Sequence, residues 1–470
     1  MAQSRLIPGS TIDGFLVGER IHLGGMASLW SVTRADIDFP ILMKVPKLAE
    51  GEDPAAIVSF EMEQMILPRL SGPHVPRFVA AGDFAVQPYI VMERIEGTSL
   101  LPNLGKLPLP ADDVATIGAR VATALDALHR QHVVHLDVKP SNIMFRPNGE
   151  AVLIDFGLSR HDQLPDLMEE EFRLPYGTAP YMAPEQILGN RRDPRSDLFA
   201  LGVLLYFFAT GTRPFGDPQR LKGLKRRIWR DPLPPRKLRP DLPPWLQEVI
   251  LRCLEVKPAW RYPTASQLAY DLANPGQVTL TARAEKMKQD PLSAVIRRRF
   301  NPDPSLTRRS APIAAQIADA PIVVLAIDLS EEAERLHEAL RVTARQVLET
   351  LPAARLACVN VIKLARLGLD TTLDEEGRSK HVQRLVALKH WAEPLRLAEG
   401  KATFHVFEAT DPAEAILEYV RANRVDHVVM GARANSAMRS LLGSVSGEVA
   451  AQAPCTVTVV RVRDTAAAAT

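Results

Sequence analysis

Residues 135–142 read His-Leu-Asp-Val-Lys-Pro-Ser-Asn, and an Asp-Phe-Gly follows at residues 155–157. Apolar runs between the two polar clusters predict a pair of short strands that bring the clusters together. Asp137 would orient or deprotonate an attacking hydroxyl group. Asp155 and the amide oxygen of Asn142 would hold metal ions that neutralise phosphate charge. Two carboxylates and an amide at this spacing therefore indicate phosphoryl transfer.

The spacing His-x-Asp-x-x-x-x-Asn, followed by Asp-Phe-Gly, resembles the signature of protein kinases. Lys139, two residues after Asp137, resembles the lysine of the bacterial serine/threonine-specific members. The resemblance covers residues 12–272 and implies an α+β bilobal fold that transfers phosphate from ATP, with Mg²⁺ or Mn²⁺, to hydroxyl groups of protein substrates. It also implies that Thr178 bridges Asp137 and Lys139.

An apolar strand at residues 41–44 ends in Lys44, which the resemblance places on the α- and β-phosphates of ATP. A buried lysine requires an anionic partner. Phe60, Glu63 and Leu67 recur at helical spacing, so Glu63 is the predicted partner on an amphipathic helix. The alternative is an ordinary amphipathic helix with a solvated glutamate.

Gly24 and Gly25 stand where the family has its glycine-rich phosphate loop, and Leu29 is expected to cover the nucleotide. Glycine allows backbone N–H groups to approach phosphates closely. Two glycines of the family pattern are replaced here, so a simple hairpin turn remains the alternative. Leu42 departs from the small residue usual above adenine, which reduces the expected pocket volume.

The β-rich run at residues 89–93 resembles the strand that leads into the kinase hinge. The resemblance makes Met92 the gatekeeper and gives adenine the backbone groups of Glu93 and Ile95. Met144, just after the catalytic loop, would form the floor of the adenine pocket. A buried strand that runs into a linker would show a similar pattern.

Three further residues are expected to act as structural ties. Asp197 opens the apolar run at residues 198–209, which predicts a buried central helix, and would hold the backbone of the catalytic loop. Arg261 falls where the family pairs an arginine with Glu185. We expect no chemical role for these residues.

Leu136 replaces the arginine that receives an activating phosphate in many kinases, and residues 161–174 contain no Ser, Thr or Tyr. Phosphorylation therefore cannot order this loop through a charge-assisted pair. We hypothesise that the enzyme is constitutively competent or controlled from outside the loop. Loss of activity on phosphatase treatment would contradict this hypothesis. Glu169–Glu171 are expected to be a solvated acidic stretch rather than a phosphate mimic.

The chain has 470 residues, which predicts two or three domains. Its 57 basic and 55 acidic side chains nearly balance, so we expect no nucleic-acid partner. The longest apolar run, at residues 198–209, is too short to span a bilayer. Three widely spaced cysteines fit no disulfide or metal pattern. We therefore expect a cytoplasmic protein without membrane contact.

Periodicity weakens over residues 273–320, which predicts a linker or a short packed arm. Alternating strand and helix patterns then fill residues 321–462 and predict a parallel five-stranded α/β sheet. The predicted strands are 322–327, 356–361, 403–407, 427–430 and 456–460.

The sequence from Val428 through Gly443 and Ser444 resembles the universal stress protein family. The resemblance implies a second nucleotide near Asp328, Gly431, Gly443 and Ser444 at the carboxyl edge of the sheet. It also implies a homodimer through the last strand. The family's second glycine is Ala434 here, and the spacing to Gly443 is shortened, so a turn without a ligand is the alternative.

The sequence thus favours a Ser/Thr protein kinase fused to a universal stress protein domain that regulates or dimerises it. Two other functions stay open. One is a pseudokinase scaffold, which the altered glycine loop favours. The other is an adenylate or stress sensor for which the kinase serves as the output.

Overall fold

The structure is a computed structural model that describes residues 6–47, 54–172, 175–218, 220–300, 320–330, 333–364, 379–398, 400–432 and 443–462. These residues form a small β-rich lobe, a larger helical lobe and a C-terminal α/β domain.

A six-stranded sheet and one helix make up the small lobe, with the strand order β1-β2-β3-β4-β6-β5. Phe15, Val17, Trp30 and Val32 alternate with exposed residues and bury one face of the sheet, as expected for a half-buried antiparallel sheet. Helix α1 lies against the other face. The elements are β1 (Thr11–Ile12), β2 (Phe15–Leu23), β3 (Ala27–Thr33), β4 (Ile41–Pro46), α1 (Pro54–Ile66), β5 (Phe78–Gly82) and β6 (Tyr89–Glu93).

Helices dominate the large lobe. Its short strands are β7 (Thr98–Ser99), β8 (Val133–Val134), β9 (Ile143–Phe145), β10 (Ala151–Leu153) and β11 (Arg160–His161). Its helices are α2 (Ala111–His129), α3 (Leu167–Glu171), α4 (Pro184–Ile187), α5 (Arg195–Thr210), α6 (Leu221–Leu224), α7 (Pro235–Leu238), α8 (Pro244–Cys253) and α9 (Ala265–Ala273).

Helix α5 is buried almost all round and forms the centre of the large lobe. Gly118 lets α2 approach it closely, because a Cβ atom there would lie 2.7 Å from Leu205 Cδ2. Among the described residues, no helix has both the length and the apolarity that crossing a bilayer requires.

The segment after α9 packs on the large lobe as an arm. Glu248 accepts hydrogen bonds from Thr281 N at 3.0 Å and from Arg283 Nη1 at 2.9 Å. Lys286 lies 2.9 Å from Asp231. The arm continues into α10 (Leu292–Phe300). Ser305, Thr307 and Ser310, whose basic neighbours suggest either an autophosphorylation site or a solvated linker, lie outside the described residues.

The C-terminal domain contains the parallel five-stranded sheet that the sequence predicts, in the order β14-β13-β12-β15-β16. All five residues of the central strand β12 are buried, because helices cover both faces of the sheet. Its elements are β12 (Ile322–Ala326), α11 (Glu334–Thr350), β13 (Arg355–Lys363), α12 (Lys380–Ala392), β14 (Ala402–Ala409), α13 (Pro412–Asn423), β15 (His427–Gly431), α14 (Ser444–Gln452) and β16 (Thr456–Val460).

Candidate active site between the two lobes

The loop between β8 and β9 is held by α5 from below. The buried carboxylate of Asp197 accepts hydrogen bonds from His135 N at 2.9 Å and from Leu136 N at 2.8 Å. Leu136 adopts a φ of 63°, a left-handed conformation that costs energy for a leucine. The two hydrogen bonds to Asp197 stabilise this turn, which presents Asp137 to the cleft.

Asp137 is the centre of a polar cluster and is almost fully buried. Lys139 Nζ lies 2.6 Å from its Oδ2 atom, and Asn142 Nδ2 donates to the same oxygen at 3.0 Å. Thr178 Oγ1 donates to Oδ1 at 2.7 Å, and Lys139 Nζ donates to Thr178 Oγ1 at 3.1 Å. The structure therefore brings together all four residues for which the sequence suggested a catalytic role.

Lys44 joins the two lobes. Its Nζ atom lies 2.5 Å from Glu63 Oε2 on α1 and 2.9 Å from Asp155 Oδ1 in the large lobe. Burial lowers the pKa of Lys44, but the two carboxylates outweigh it and raise the pKa above its usual value. The charge of Lys44, against the opposing effect of burial, holds the pKa of Asp155 at about 2. Both groups are therefore charged at neutral pH.

The donor atoms around Asp155 fit Mg²⁺. Asp155 takes a φ of 68°, and its side chain is 44% exposed toward the cleft. Asn142 uses its Nδ2 atom to hold Asp137, which leaves its Oδ1 atom as an acceptor that already receives Ser141 Oγ at 3.1 Å. Carboxylate and amide oxygens are hard ligands, and Mg²⁺ usually takes only one or two protein ligands beside water and phosphate.

Helix α1 and the Asp-Phe-Gly segment are locked together. Phe156 N donates to Glu63 Oε1 at 3.4 Å, and Phe156 is fully buried beside His135, with ring centroids 5.4 Å apart. A Cβ atom on Gly157 would lie 2.1 Å from Ser59 Oγ on α1. Glycine at this position thus permits the approach of α1 that places Glu63 against Lys44.

The turn between β2 and β3 contains the predicted phosphate loop. Gly24 N donates to Ala27 O at 2.9 Å and closes the hairpin, with Gly25 at its tip. Leu29 pairs in register with Lys44 on the neighbouring strand. Gly24 and Gly25 thus form a hairpin turn at the predicted position, and its contact with phosphate stays a prediction.

The predicted hinge follows β6. Met92 pairs in register with Leu42 of β4, and Ile95 is buried. Glu93 N donates to Arg77 O at 2.8 Å. The Glu93 carboxylate also binds Arg146 of the large lobe at 2.5 Å, which fixes the connection between the lobes.

Met144, the predicted floor of the adenine pocket, lies on β9 in the large lobe. Met144 pairs in register with Ser99 of β7 and with Val152 of β10. The three strands form a small sheet directly after the catalytic loop, and Met144 is half-buried there.

Two predicted structural ties are present as expected. Arg261 and Glu185 form a fully buried bidentate pair at 2.7 and 2.8 Å. The glutamine after Glu185 was missed by the sequence reasoning: Gln186 Nε2 donates to Leu136 O at 2.8 Å and ties α4 to the catalytic loop. A lone glutamine after Ala-Pro-Glu carries no signal of such a contact.

The expectation of a solvated acidic stretch at Glu169–Glu171 is wrong. Glu170 is 6% exposed and the Glu171 side chain is 6% exposed, and both contact the C-terminal domain. Their helix, α3, is capped by Asp166, whose side chain accepts from Glu169 N. Arg191 also binds Asp166 at 2.8 Å. These partners lie far along the chain, so local sequence gave no sign of them.

A cavity of about 490 Å³ lies at the carboxyl edge of the C-terminal sheet, apart from the cleft between the kinase lobes. Asp328, Gly431, Gly443 and Ser444 all line it, as the sequence predicts for a single edge. Asn360 lines it too, and its buried Oδ1 atom has no hydrogen-bond partner among the described residues. Ala434 lies outside the described residues.

Comparison with known proteins agrees with this geometry. The protein kinase domain family matches residues 17–271, and the universal stress protein family matches residues 321–461. A probable serine/threonine-protein kinase of Clostridium perfringens is 28% identical over 307 residues, covering 64% of this chain and 43% of that protein. Serine/threonine-protein kinase PknB of Mycolicibacterium smegmatis is 30% identical over 270 residues, covering 56% and 43%.

The crystal structure of the Mycobacterium tuberculosis PknI kinase domain is 25% identical, covers 57% of this chain and 99% of its own, and gives a TM-score of 0.45. The chain spans less than half the length of the first relatives that it matches, at 43%, 48% and 43%. The family match itself covers more than half of the chain and includes every motif in the cleft. The chain therefore belongs to the protein kinase family and carries a universal stress protein domain.

Proposed function

We propose that this chain is an ATP-dependent serine/threonine protein kinase that phosphorylates hydroxyl groups of protein substrates. The observation that carries the proposal is the position of Lys44, which lies within 2.9 Å of carboxylates from both lobes. A scaffold without turnover has no need to keep this ion pair beside an intact Asp137 cluster. Serine and threonine are the proposed acceptors because Lys139 resembles the lysine that Ser/Thr-type kinases carry at this position; here it contacts both Asp137 and Thr178.

Each residue has a distinct part in the proposed reaction. Asp137 accepts the hydrogen bond of the acceptor hydroxyl and orients it for attack, and Lys139 stabilises the charge on the transferring group. Lys44, held by Glu63, binds the α- and β-phosphates. Asp155 and Asn142 would hold Mg²⁺, which supplies charge neutralisation when bound. Preorganised charges of this kind account for most of the catalysis in phosphoryl transfer.

A radiolabelled phosphotransfer assay with a generic acceptor protein tests the proposal. Asp137→Asn and Asp155→Ala should each lower the rate by about 100-fold or more, since both lose a charged group at the reacting centre. Asp36→Asn, on an exposed part of the small lobe, is the matched control and should keep full activity. Equal rates in all four proteins would contradict the assignment. Nucleotide binding without any transfer by the wild type would favour the pseudokinase scaffold.

We further propose that the C-terminal cavity takes a second adenine nucleotide. The unpaired Asn360 Oδ1 atom and the N-terminus of α14 at Ser444 support this, because backbone N–H groups at a helix start favour phosphate. Calorimetry on an Asp155→Ala, Lys44→Met background, with the kinase site disabled, should retain one binding event. No binding in that background would remove the second site.

A homodimer through β16 is also proposed, because the resemblance to universal stress proteins implies pairing through the last strand, and β16 is one of the two edge strands of the sheet. Light scattering should give twice the chain mass, and a monomer at all concentrations would rule the dimer out. We propose domain boundaries at 12–272, 273–320 and 321–462. We also propose a cytoplasmic location, which the three free cysteines support.

A further inference from the structure

The activation segment of the kinase runs from Asp155 to Glu185, and its helix α3 contacts the C-terminal domain. Arg355 binds Glu170 through two parallel contacts, with Nη2 2.6 Å from Oε1 and Nη1 3.2 Å from Oε2. Tyr419 OH donates to Glu170 Oε2 at 2.9 Å. Asn423 Nδ2 donates to the backbone oxygen of Glu170 at 3.2 Å. Glu170 thus contacts Arg355, Tyr419 and Asn423 of the C-terminal domain, and His405 is its fourth partner there.

The neighbouring glutamate has a partner on the same domain. His405 is fully buried, and its Nδ1 atom lies 2.8 Å from Glu171 Oε1 while its Nε2 atom lies 3.3 Å from Glu170 Oε2. Two carboxylates therefore face a guanidinium and an imidazole that is positioned to donate from both nitrogens. Buried carboxylates persist only when their charge is matched and their oxygens are hydrogen-bonded.

A separate contact reaches α1, the helix that carries Glu63. Lys389 Nζ of α12 lies 2.6 Å from Glu61 Oε1 and 4.8 Å from the centre of the Phe84 ring. Residues two apart on a helix point to nearly opposite sides. Glu61 therefore faces the C-terminal domain while Glu63 faces Lys44, so α1 is held from both sides.

The held glutamates lie close in sequence to the residue that contacts the catalytic aspartate. Phe172 follows Glu171 and packs on Tyr176, with ring centroids 4.8 Å apart. Thr178 comes two residues later and donates to Asp137. Because Glu170 and Glu171 are held by the C-terminal domain, the chain is anchored a few residues before Thr178.

This arrangement has the charge pattern of a phosphorylated activation segment. A phosphate would present negative oxygens to an arginine pocket and order the loop. Here the two glutamates supply the negative oxygens, while Arg355 and His405 of the second domain supply the cations. Residues 161–174 contain no hydroxyl side chain that would accept a phosphate.

We propose that Arg355, His405 and Lys389 are positioning residues for phosphotransfer, through which the C-terminal domain holds α1 and the activation segment in the competent arrangement. The proposal deepens the kinase function and rests on it. The residues act through Glu170, Glu171 and Glu61, and none of them touches substrate.

Charge exchange across the α1 contact gives the first test, on the full chain with steady-state kinetics. Lys389→Glu should lower kcat by about tenfold, within the usual range of coupling between sites, because two like charges now push α1 away. The double variant Lys389→Glu, Glu61→Lys restores an opposite pair and should return kcat to within about threefold of the wild type. Arg345→Glu, on the exposed face of α11, is the matched control and should keep wild-type kcat.

Neutralisation of Arg355, which contacts Glu170 of the activation segment, gives an independent test. Arg355→Gln leaves Glu170 buried beside fewer cations and should lower kcat by about tenfold. Adding Glu170→Gln removes the unmatched charge and should recover part of that loss. An equal loss in the single and double variants would show that the unmatched charge of Glu170 does not disturb the activation segment, and would overturn this part of the inference.

The outcomes separate this inference from the kinase function. Activity in the wild type with unchanged kcat in Lys389→Glu and Arg355→Gln overturns the inference and leaves the kinase function standing. A loss in Lys389→Glu that the exchanged pair does not rescue, or an equal loss in Arg345→Glu, also overturns it. No transfer by the wild type overturns both.

Discussion

The protonation of His405 should make the junction between the kinase and the C-terminal domain weaker in alkali. Burial lowers the pKa of this imidazole, but its hydrogen bonds and charge contacts with Glu170 and Glu171 outweigh burial and raise the pKa to about 9 from 6.5. Arg355, Tyr419 and Thr403 complete its charged and polar surroundings. The opposite shift is found in Glu170: although burial raises its pKa, Arg355 and His405 hold it at about 2.

The direction of the shift determines the pH window. Below pH 6.5 the imidazole is protonated in the folded and unfolded chains, so the full stabilisation is present. Between pH 6.5 and about 9 only the folded chain keeps the proton, so stability falls as pH rises. The rise in the pKa of His405, from 6.5 to about 9, corresponds to a stabilisation of the folded chain on the order of 3 kcal/mol. Glu170 contributes in the other direction, and its stabilisation is lost only in acid, toward about pH 2.

The perturbation that isolates this effect is His405→Gln, which keeps hydrogen-bonding atoms but cannot take a charge. Urea unfolding of the wild type and the variant, at pH 6.5, 8.0 and 9.5, gives the difference in unfolding free energy at each pH. We expect a difference of on the order of 3 kcal/mol at pH 6.5 that shrinks toward zero at pH 9.5. Titrating groups that do not contact His405 cancel in the comparison. A difference that stays constant with pH would refute the assignment of a charged imidazole.

Two further perturbations test the ties that hold the catalytic centre. Glu185→Gln should lower the free energy of unfolding, measured in urea, by about 3–5 kcal/mol, because it leaves the fully buried Arg261 without a matched charge. A loss below about 1 kcal/mol would show that the site relaxes or admits water. Gly157→Ala should lower kcat/KM for ATP by on the order of tenfold in steady-state kinetics. The added Cβ would lie 2.9 Å from the backbone oxygen of Ser59 on α1. This contact would push α1, and with it Glu63, away from Lys44. Gly276→Ala, in open space, is its control, and equal kinetics in both variants would contradict the packing argument.

Local sequence was sufficient for the chemistry of the cleft. Asp137, Lys139 and Asn142 lie within one loop, so their spacing alone requires their side chains to stay close together. Lys44 and Asp155 are 111 residues apart, yet Lys44 lies within one short apolar strand, β4, and Asp155 follows another, β10. A buried lysine and a carboxylate after a strand together predicted a site that holds an anion and a metal. The parallel sheet of the second domain followed equally from its alternating pattern.

The junction between the domains could not be read in the same way. Glu170 and Arg355 are 185 residues apart, and Glu171 and His405 are 234 residues apart. Three consecutive glutamates in a polar segment look the same whether water or a distant cation faces them. Burial is a property of the packed surfaces, and the cost of burying a carboxylate is offset only by partners that docking brings to it.

The sequence by itself determined the two domain types and predicted which polar groups meet in the cleft, because these depend on short-range spacing and strand or helix period. Only the tertiary structure decided that Glu170 and Glu171 face Arg355 and His405, and that Glu61 faces Lys389. The physical reason is that charge matching across an interface depends on where two separately folded surfaces meet, and no local pattern in the chain records that position.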